Sequence, residues 1–276
     1  MDRTSLIFGA ERLRGYPTGG VTYRALRRSG VLERLVPPTV SVSVSGRELS
    51  FRTTTTKEVR LAKAMATDEL LADLVSDLRS DDVFFDVGAA VGYITCTVVG
   101  VTNVTDVLAF EPHPANAARI RENLRLNGLD ATVEERALSN ESGEFELVIR
   151  RVESGSTHNH LGDADGPGKS DGMAATVPVE VGAGDDLVRD GEVPQPTVVK
   201  IDVEGKEYSV LDGMRETLSS PECRLVYCEV HRRELPDYAH AEHSEAEVRD
   251  LLVELGFDVE RTIEGKRCYQ LRCTKP

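Results

Sequence analysis

The pattern of apolar and polar positions changes character along the chain. In residues 40–51, valines alternate with serines, a Ser45-Gly46 turn follows, and two further apolar residues alternate with polar ones. This pattern predicts a β-hairpin. Residues 57–79 carry apolar side chains at helical spacing and predict a helix.

From residue 82 onward, short apolar runs alternate with helical stretches. The predicted strands are 82–87, 105–111, 131–136, 144–150, 176–182, 197–203, 223–229, 257–262 and 267–272. The predicted helices are 92–100, 114–127, 184–189, 206–219 and 244–255. This alternation favours an α/β fold with a mostly parallel sheet that helices cover on both faces. The last two strands flank a short turn at 263–266 and should pair antiparallel.

Composition narrows the classes of partner. Acids outnumber bases by 47 to 33, a net charge of −14, and the acids are scattered rather than blocked. Scattered acids favour a well-solvated exterior over an acidic binding surface, and the charge argues against nucleic acid. No apolar stretch reaches the roughly 18 residues of a membrane span, and the N-terminus does not resemble a secretory signal. We therefore expect a cytoplasmic protein with reduced cysteines, since the five cysteines form no C-x-x-C motif.

For two segments, the sequence allows more than one interpretation of their role. Residues 1–36 hold seven arginines against three acids, which suits either an arm on the protein body or a partner subunit, or a site for an anionic acceptor. Residues 151–175 are rich in Gly, Ser and Asp, which suits either a lid or a solvated insertion. We predict an extension at 1–56, with the arm and the hairpin, and a second domain at 57–276. A homo-oligomer is compatible with this organisation.

The stretch VFFDVGAAVGYIT, residues 83–95, predicts a ligand site. A buried strand ends at Asp86, and Gly88 and Gly92 frame the turn into a helix. Ligands bind beyond the carboxyl ends of parallel strands, where glycine permits close approach and the helix start offers N–H groups. The spacing is not the G-x-G-x-x-G of dinucleotide sites, no P-loop follows, and the carboxylate of Asp86 would repel a pyrophosphate.

Glu111 ends the next predicted strand, 23 residues after Gly88. An acid at this distance and strand position is suited to hydrogen-bonding a ribose diol. Together, the acid–glycine turn and Glu111 fit S-adenosylmethionine better than a dinucleotide.

Five motifs resemble the FkbM family of S-adenosylmethionine-dependent methyltransferases: Asp86-Val-Gly88-Ala-Ala-Val-Gly92-Tyr93, Phe110-Glu111-Pro112, Asn123-x-x-x-Asn127, Ala137-Leu138-Ser139 and Lys200-Ile-Asp202-Val-Glu204-Gly205. The resemblance runs from about residue 40 to about residue 230. It implies the class I methyltransferase fold, Rossmann-like with a seven-stranded sheet, and methyl transfer to a hydroxyl of a sugar or a natural product.

The resemblance also implies which residues bind the cofactor. The methionine end is expected at Asp86, Gly88, Gly92 and Tyr93, the ribose at Glu111, and the adenine at Ala137 and Leu138. Ala89 and Pro112 are also expected to bind the cofactor. Ala90 departs from the family, which often has asparagine there.

The acceptor site is expected at two neighbouring strand ends. Asp202 and Glu204 follow one strand, and Glu229 and His231 form an i, i+2 pair at the end of the next. A hydroxyl acceptor needs a base, and His231 has a suitable ordinary pKa, with Glu229 as orienting group or base. Asp202 also suits a cofactor role, and helix capping is the structural alternative for Asp202 and Glu204. His158 and His160 are further candidates for the base. The cluster of Asp202, Glu204, Glu229 and His231 could also hold a divalent metal through oxygen ligands. Nothing in the spacing requires a metal, so none is predicted.

The favoured function is S-adenosylmethionine-dependent O-methyltransfer to a small molecule or glycan. The alternatives are a nicotinamide-dependent oxidoreductase, disfavoured by the missing third glycine, and a non-catalytic cofactor-binding scaffold. The set of polar strand-end residues argues against the scaffold.

Overall fold

The computed structural model describes residues 34–149, 160–161, 175–235, 238, 240–241 and 243–275. The chain divides into two compact units, with the division after Asp68. The His158 candidate, most of the predicted lid or insertion, and nearly all of the arginine-rich arm lie outside the described residues. No helix in the described ranges is long and apolar enough to cross a membrane.

The first unit contains the predicted hairpin. Strand β1 (Thr39–Val44) pairs antiparallel with β2 (Arg47–Arg52), and the two turn residues have φ of 48° and 81°, as type I′ turns require. The predicted helix 57–79 is interrupted. Helix α1 (Thr56–Ala64) starts at a capping box of Thr55 and Glu58, a 3₁₀ turn follows, and α2 (Glu69–Asp77) belongs to the second unit. The hairpin prediction is therefore right, and the single helix is wrong.

The second unit is built on a seven-stranded sheet. Its members are β3 (Val83–Val87), β4 (Asp106–Phe110), β5 (Thr132–Glu134), β10 (Val198–Ile201), β11 (Leu225–His231), β12 (Asp258–Glu264) and β13 (Cys268–Thr274). The strand order is β12-β13-β11-β10-β3-β4-β5, and only the two pairings of β13 are antiparallel. The predicted parallel sheet and antiparallel last pair are both confirmed.

A second, four-stranded sheet takes up the predicted strands that the main sheet does not use. Its members are β6 (Arg136–Ser139), β7 (Gly143–Ile149), β8 (His160–Leu161) and β9 (Ala175–Ala183), in the order β6-β9-β7-β8. The predicted strand 131–136 is thereby divided, because β5 pairs with β4 and β6 pairs with β9.

The helices follow the prediction with one further exception. They are α3 (Tyr93–Val101), α4 (Pro114–Asn127), α5 (Gly184–Arg189), α6 (Glu207–Asp212), α7 (Arg215–Ser219) and α8 (Glu245–Glu254). The predicted helix 206–219 is broken at Gly213, where a Cβ would lie 1.8 Å from the carbonyl oxygen of Ser139. This close backbone approach of β6 requires glycine, which ends the first helix early.

The main core lies on the sheet faces. Strand β10 is fully buried, and β3, β4 and β11 bury nearly every residue, as central parallel strands do. Polar side chains are therefore concentrated at the carboxyl ends of these strands.

Candidate active site

A cavity opens at the carboxyl edge of the sheet, between the ends of β3, β4 and β10. The residues in its wall are Val87, Gly88, Ala90, Phe110, Glu111, Pro112, Asn116, Ala137, Leu138, Leu147, Leu161, Asp202, Val203, Glu204 and Lys206. Apolar residues of the second sheet form one side, and charged residues after β10 form another. The cavity thus offers an apolar slot beside ionisable groups, as small-molecule sites do.

The turn after β3 approaches the loop after β10 closely. Gly88 has φ of 82°, and a Cβ there would lie 1.9 Å from the carbonyl oxygen of Asp202. Gly92 has φ of 80° and begins helix α3, where a Cβ would press on Ile120 at 2.9 Å. Both glycines are required by backbone conformation and by close contact.

Backbone strain is concentrated around the cavity. Among the described residues, three that are not glycine have φ of 48°, 52° and 58°: Ser45, Ala90 and Glu204. The last two are cavity residues. Left-handed backbone is costly for alanine and glutamate, and such strain is often found at functional sites.

Glu111 extends from the end of β4 into the cavity wall and is 5% exposed. Its Oε1 accepts hydrogen bonds from the backbone N–H of His113 at 2.9 Å and from the amide of Asn116 at 3.3 Å. Its Oε2 accepts one from the backbone N–H of Ala90 at 2.8 Å. Burial raises the pKa of Glu111 to about 7, although these hydrogen bonds lower it. The carboxylate is therefore held firmly and titrates near neutral pH.

Asp86 faces the interior rather than the cavity. Its Oδ2 accepts a 2.6 Å hydrogen bond from Thr95 of α3, and its Oδ1 lies 3.4 Å from Nζ of Lys200. Lys200 is 4% exposed and also lies 3.5 Å from Oδ2 of Asp202. Lys200 thus connects two predicted site residues on neighbouring strands, one behind the cavity and one in its wall.

All four predicted catalytic residues lie together around His231. The imidazole Nε2 lies 3.4 Å from Glu204 Oε2, 3.5 Å from Glu229 Oε1 and 4.0 Å from Asp202 Oδ1. Its Nδ1 lies 2.7 Å from Oε1 of Glu207, the first residue of α6. His231 and Glu207 are 4% and 3% exposed, so the pair is inaccessible to bulk water.

Burial and mutual repulsion shift the pKa values in this cluster. Burial alone lowers the pKa of His231, but the Glu207 hydrogen bond and the nearby carboxylates outweigh it and raise that pKa to about 9. Burial raises the pKa of Glu229 to about 7 and also raises that of Asp202. These contacts favour the protonated form of the imidazole, which weakens the interpretation of His231 as base.

The predicted cofactor residues fall into two groups. Gly88, Glu111, Pro112, Ala137, Leu138 and Asp202 line the cavity. Asp86, Ala89, Gly92 and Tyr93 lie outside its wall. The physical reason is local: the Asp86 side chain pairs inward, and Gly92 and Tyr93 form the start of α3.

Sequence reasoning missed several residues of the site. Asn116 and Lys206 line the cavity, and Glu207 and Tyr238 contact the His231 side chain, Tyr238 at a ring-centroid distance of 4.4 Å. Glu207 follows directly on the Lys200–Gly205 motif, so its position was the available signal. Tyr238 lies beyond any predicted element and gave none.

The strand order and the position of the cavity are those of the class I methyltransferase fold. Residues 86–259 match the family model described as the methyltransferase FkbM domain. The chain belongs to the FkbM methyltransferase family, as the sequence motifs predicted, and the prediction of a methyltransferase enzyme is confirmed.

A relative among characterised proteins is the hexuronic acid methyltransferase AglP of Haloferax volcanii. It is 30% identical over 225 residues, which cover 81% of this chain and 87% of AglP.

Solved structures give more distant likenesses. The FkbM methyltransferase of Methylobacillus flagellatus is 16% identical with a TM-score of 0.45; the match covers 72% of this chain and 45% of that one. Magnesium protoporphyrin IX methyltransferase of Synechocystis is 12% identical with a TM-score of 0.46; the match covers 80% and 83% of the two chains.

Proposed function

We propose that this protein is an S-adenosylmethionine-dependent O-methyltransferase that acts on a hydroxyl of a sugar, with a hexuronic acid as the favoured acceptor. The observation that carries the proposal is the buried Glu111 carboxylate in a cavity that also contains Asp202 and Glu204. Family membership supports methyl transfer, and the name of the related AglP supports the hexuronic acid.

The residues of the cavity suit the nucleoside part of the cofactor. A carboxylate has about four acceptor positions, and three donors already fix Glu111. One position remains for a ribose hydroxyl, and the long Asn116 bond is the one that a second hydroxyl would replace. Ala137 and Leu138 supply apolar surface for the adenine, and we expect the amino-acid end beside the Gly88 turn, which lines the same cavity.

When bound, S-adenosylmethionine supplies a methyl group on a sulfonium, whose C–S bond breaks as the acceptor oxygen bonds to carbon and whose electron pair stays on sulfur. The protein must orient the hydroxyl and accept its proton. We assign the proton to Glu204, because Glu204 is a residue of the cavity wall and His231 is not. Tyr238 hydrogen-bonds Glu204, and the left-handed backbone of Glu204 fixes where its carboxylate points.

The position of Lys206 favours an acceptor that carries a carboxylate. Lys206 lies in the cavity wall two residues after Glu204, so it places one positive charge beside the carboxylates there. A hexuronic acid presents a carboxylate to such a group, whereas a neutral hexose does not.

The test is methyl transfer from S-adenosylmethionine to a panel of hexuronic acid glycosides and matched neutral hexosides, in concentrated KCl and analysed by mass spectrometry. We expect a product that has gained one methyl on a hydroxyl of the hexuronic acid, and little product with Glu111→Gln. Methylation of a carboxylate or an amine with the hydroxyls untouched would contradict the proposal.

A further inference from the structure

Three potential metal-ligand atoms meet at the ends of β10 and β11. One oxygen of Asp202, one oxygen of Glu229 and Nε2 of His231 all lie within 4.8 Å of one another. In an octahedral site with bonds of about 2.1 Å, neighbouring ligand atoms are about 3 Å apart and opposite ones about 4 Å. The observed separations therefore reach this geometry through small side-chain movements.

The imidazole among these three ligands is already oriented for coordination. Its Nδ1 is hydrogen-bonded at 2.7 Å to the buried Glu207. Nε2 of this 4% exposed residue points into the carboxylates, 3.4 Å from Glu204, 3.5 Å from Glu229 and 4.0 Å from Asp202. A carboxylate on the far nitrogen of a histidine is the usual outer partner of a metal-binding imidazole, since it fixes the tautomer and the ring orientation.

Charge balance favours an added cation. The ion pairs of this cluster join five carboxylates, those of Asp86, Asp202, Glu204, Glu207 and Glu229, to the side chains of His231 and Lys200. Such a surplus of negative charge on buried and half-buried side chains is costly unless it coordinates a metal or takes up protons. An anionic acceptor would be repelled by the same surplus.

We propose that Asp202, Glu229 and His231 bind one divalent cation of the Mn²⁺ type. The set of two carboxylate oxygens and one imidazole nitrogen fits this ion, because Mn²⁺ accepts hard oxygen ligands and takes nitrogen more readily than Mg²⁺ does. Glu207 is a positioning residue that acts through the imidazole.

The site adjoins the cavity through Asp202, which belongs to both. A cation here has open coordination positions on the cavity side, where a sugar hydroxyl and a neighbouring carboxylate could bind together. It would lower the pKa of that hydroxyl and offset the repulsion of an acidic acceptor. This role rests on the proposed function, whereas the binding of the cation does not.

The test uses the whole chain after treatment with EDTA, in concentrated KCl to suppress weak binding to surface acids. Mn²⁺ is titrated in and its free signal followed by electron paramagnetic resonance. We expect one saturable site per chain. Glu229→Gln and Asp202→Asn should each weaken Mn²⁺ binding about tenfold or more, as should Glu207→Gln. The matched control is Glu260→Gln, an exposed acid on β12.

Binding of S-adenosylhomocysteine, measured by calorimetry on the same samples, separates the two proposals. If no saturable Mn²⁺ site is found, or if neither Glu229→Gln nor Asp202→Asn weakens it, the metal proposal is wrong, and retained S-adenosylhomocysteine binding would leave the proposed function intact. If Mn²⁺ binds as expected and S-adenosylhomocysteine does not, the metal site stands and the proposed function fails.

Discussion

Replacement of Glu111 by glutamine makes a quantitative test of the cavity, because it removes a buried charge and changes little else in size. Burial raises the pKa of Glu111 from 4.5 to about 7. A shift of that size corresponds to about 3 kcal/mol of free energy of unfolding that depends on pH.

The sign follows from the direction of the shift. The folded protein favours the protonated acid, so this contribution to stability is complete below pH 4.5, falls as the pH rises to about 7, and is constant above that. The variant Glu111→Gln lacks this pH-dependent contribution to stability. Between about pH 5 and about pH 8 the variant should therefore gain roughly 2–3 kcal/mol in free energy of unfolding relative to the wild type.

The assay is urea unfolding of both proteins at several pH values, followed by circular dichroism. The glutamine amide faces backbone N–H donors, which lowers the free energy of unfolding of the variant by an amount that does not depend on pH. The quantity to compare is therefore how the difference between the two free energies of unfolding changes with pH. Other titrating groups are common to both proteins and cancel. If the free energies of unfolding of the wild type and the variant changed with pH by the same amount, the inference that Glu111 is a buried acid that titrates near neutral pH would be refuted.

Three further predictions concern the cavity wall. Gly88→Ala should abolish S-adenosylhomocysteine binding in calorimetry and destabilise the fold by about 3 kcal/mol or more, since its Cβ would meet a backbone oxygen at 1.9 Å. The control Gly191→Ala has a similar φ of 72° and open space, so it should cost only about 1 kcal/mol in the same unfolding assay. Ala90→Gly should raise the free energy of unfolding by about 1 kcal/mol, because φ at Ala90 is 52°; Ala246→Gly, in the exposed face of α8, should lower it by about 0.5–1 kcal/mol. Lys206→Met should raise KM for a hexuronic acid acceptor about tenfold while changing kcat and the neutral-sugar KM little; equal losses for both acceptors would contradict the assigned role of Lys206.

The sequence was sufficient to predict those parts of the site that follow from strand ends. Asp202 follows β10 directly, Glu229 and His231 lie in the last three residues of β11, and parallel strands bring their carboxyl ends to one edge. The gathering of these side chains was therefore predictable from periodicity alone. Glu111 was placed in the same way, one β–α unit after Gly88.

The environment of those residues was less predictable, because it depends on contacts between distant segments. The Glu207–His231 hydrogen bond joins positions 24 residues apart, and the inward pairing of Asp86 depends on Lys200, 114 residues away. Neither contact leaves a periodic signal. Glu207 and the neighbouring carboxylates raise the pKa of His231 to about 9, which its ordinary pKa could not reveal, and its role as base stays a prediction.

Helix breaks were likewise decided by tertiary contact. Residues 206–219 have the composition of one helix, but Gly213 accommodates the backbone of Ser139, and the helix ends there. The pairing of β6 with β9 rather than with the main sheet also depends on contacts between segments that are distant in the sequence. Local propensity cannot reveal either, since the deciding partner is far along the chain.

Calorimetric titration of the whole chain with S-adenosylhomocysteine and, separately, with NADH, in concentrated KCl, tests the proposed cofactor most directly. We predict that S-adenosylhomocysteine binds with one site per chain, more tightly at about pH 8 than at about pH 6 because ionised Glu111 accepts the ribose hydroxyls, and that NADH gives no heat of binding. Binding of NADH without binding of S-adenosylhomocysteine would contradict the assignment of the cavity to the methyl-donor cofactor.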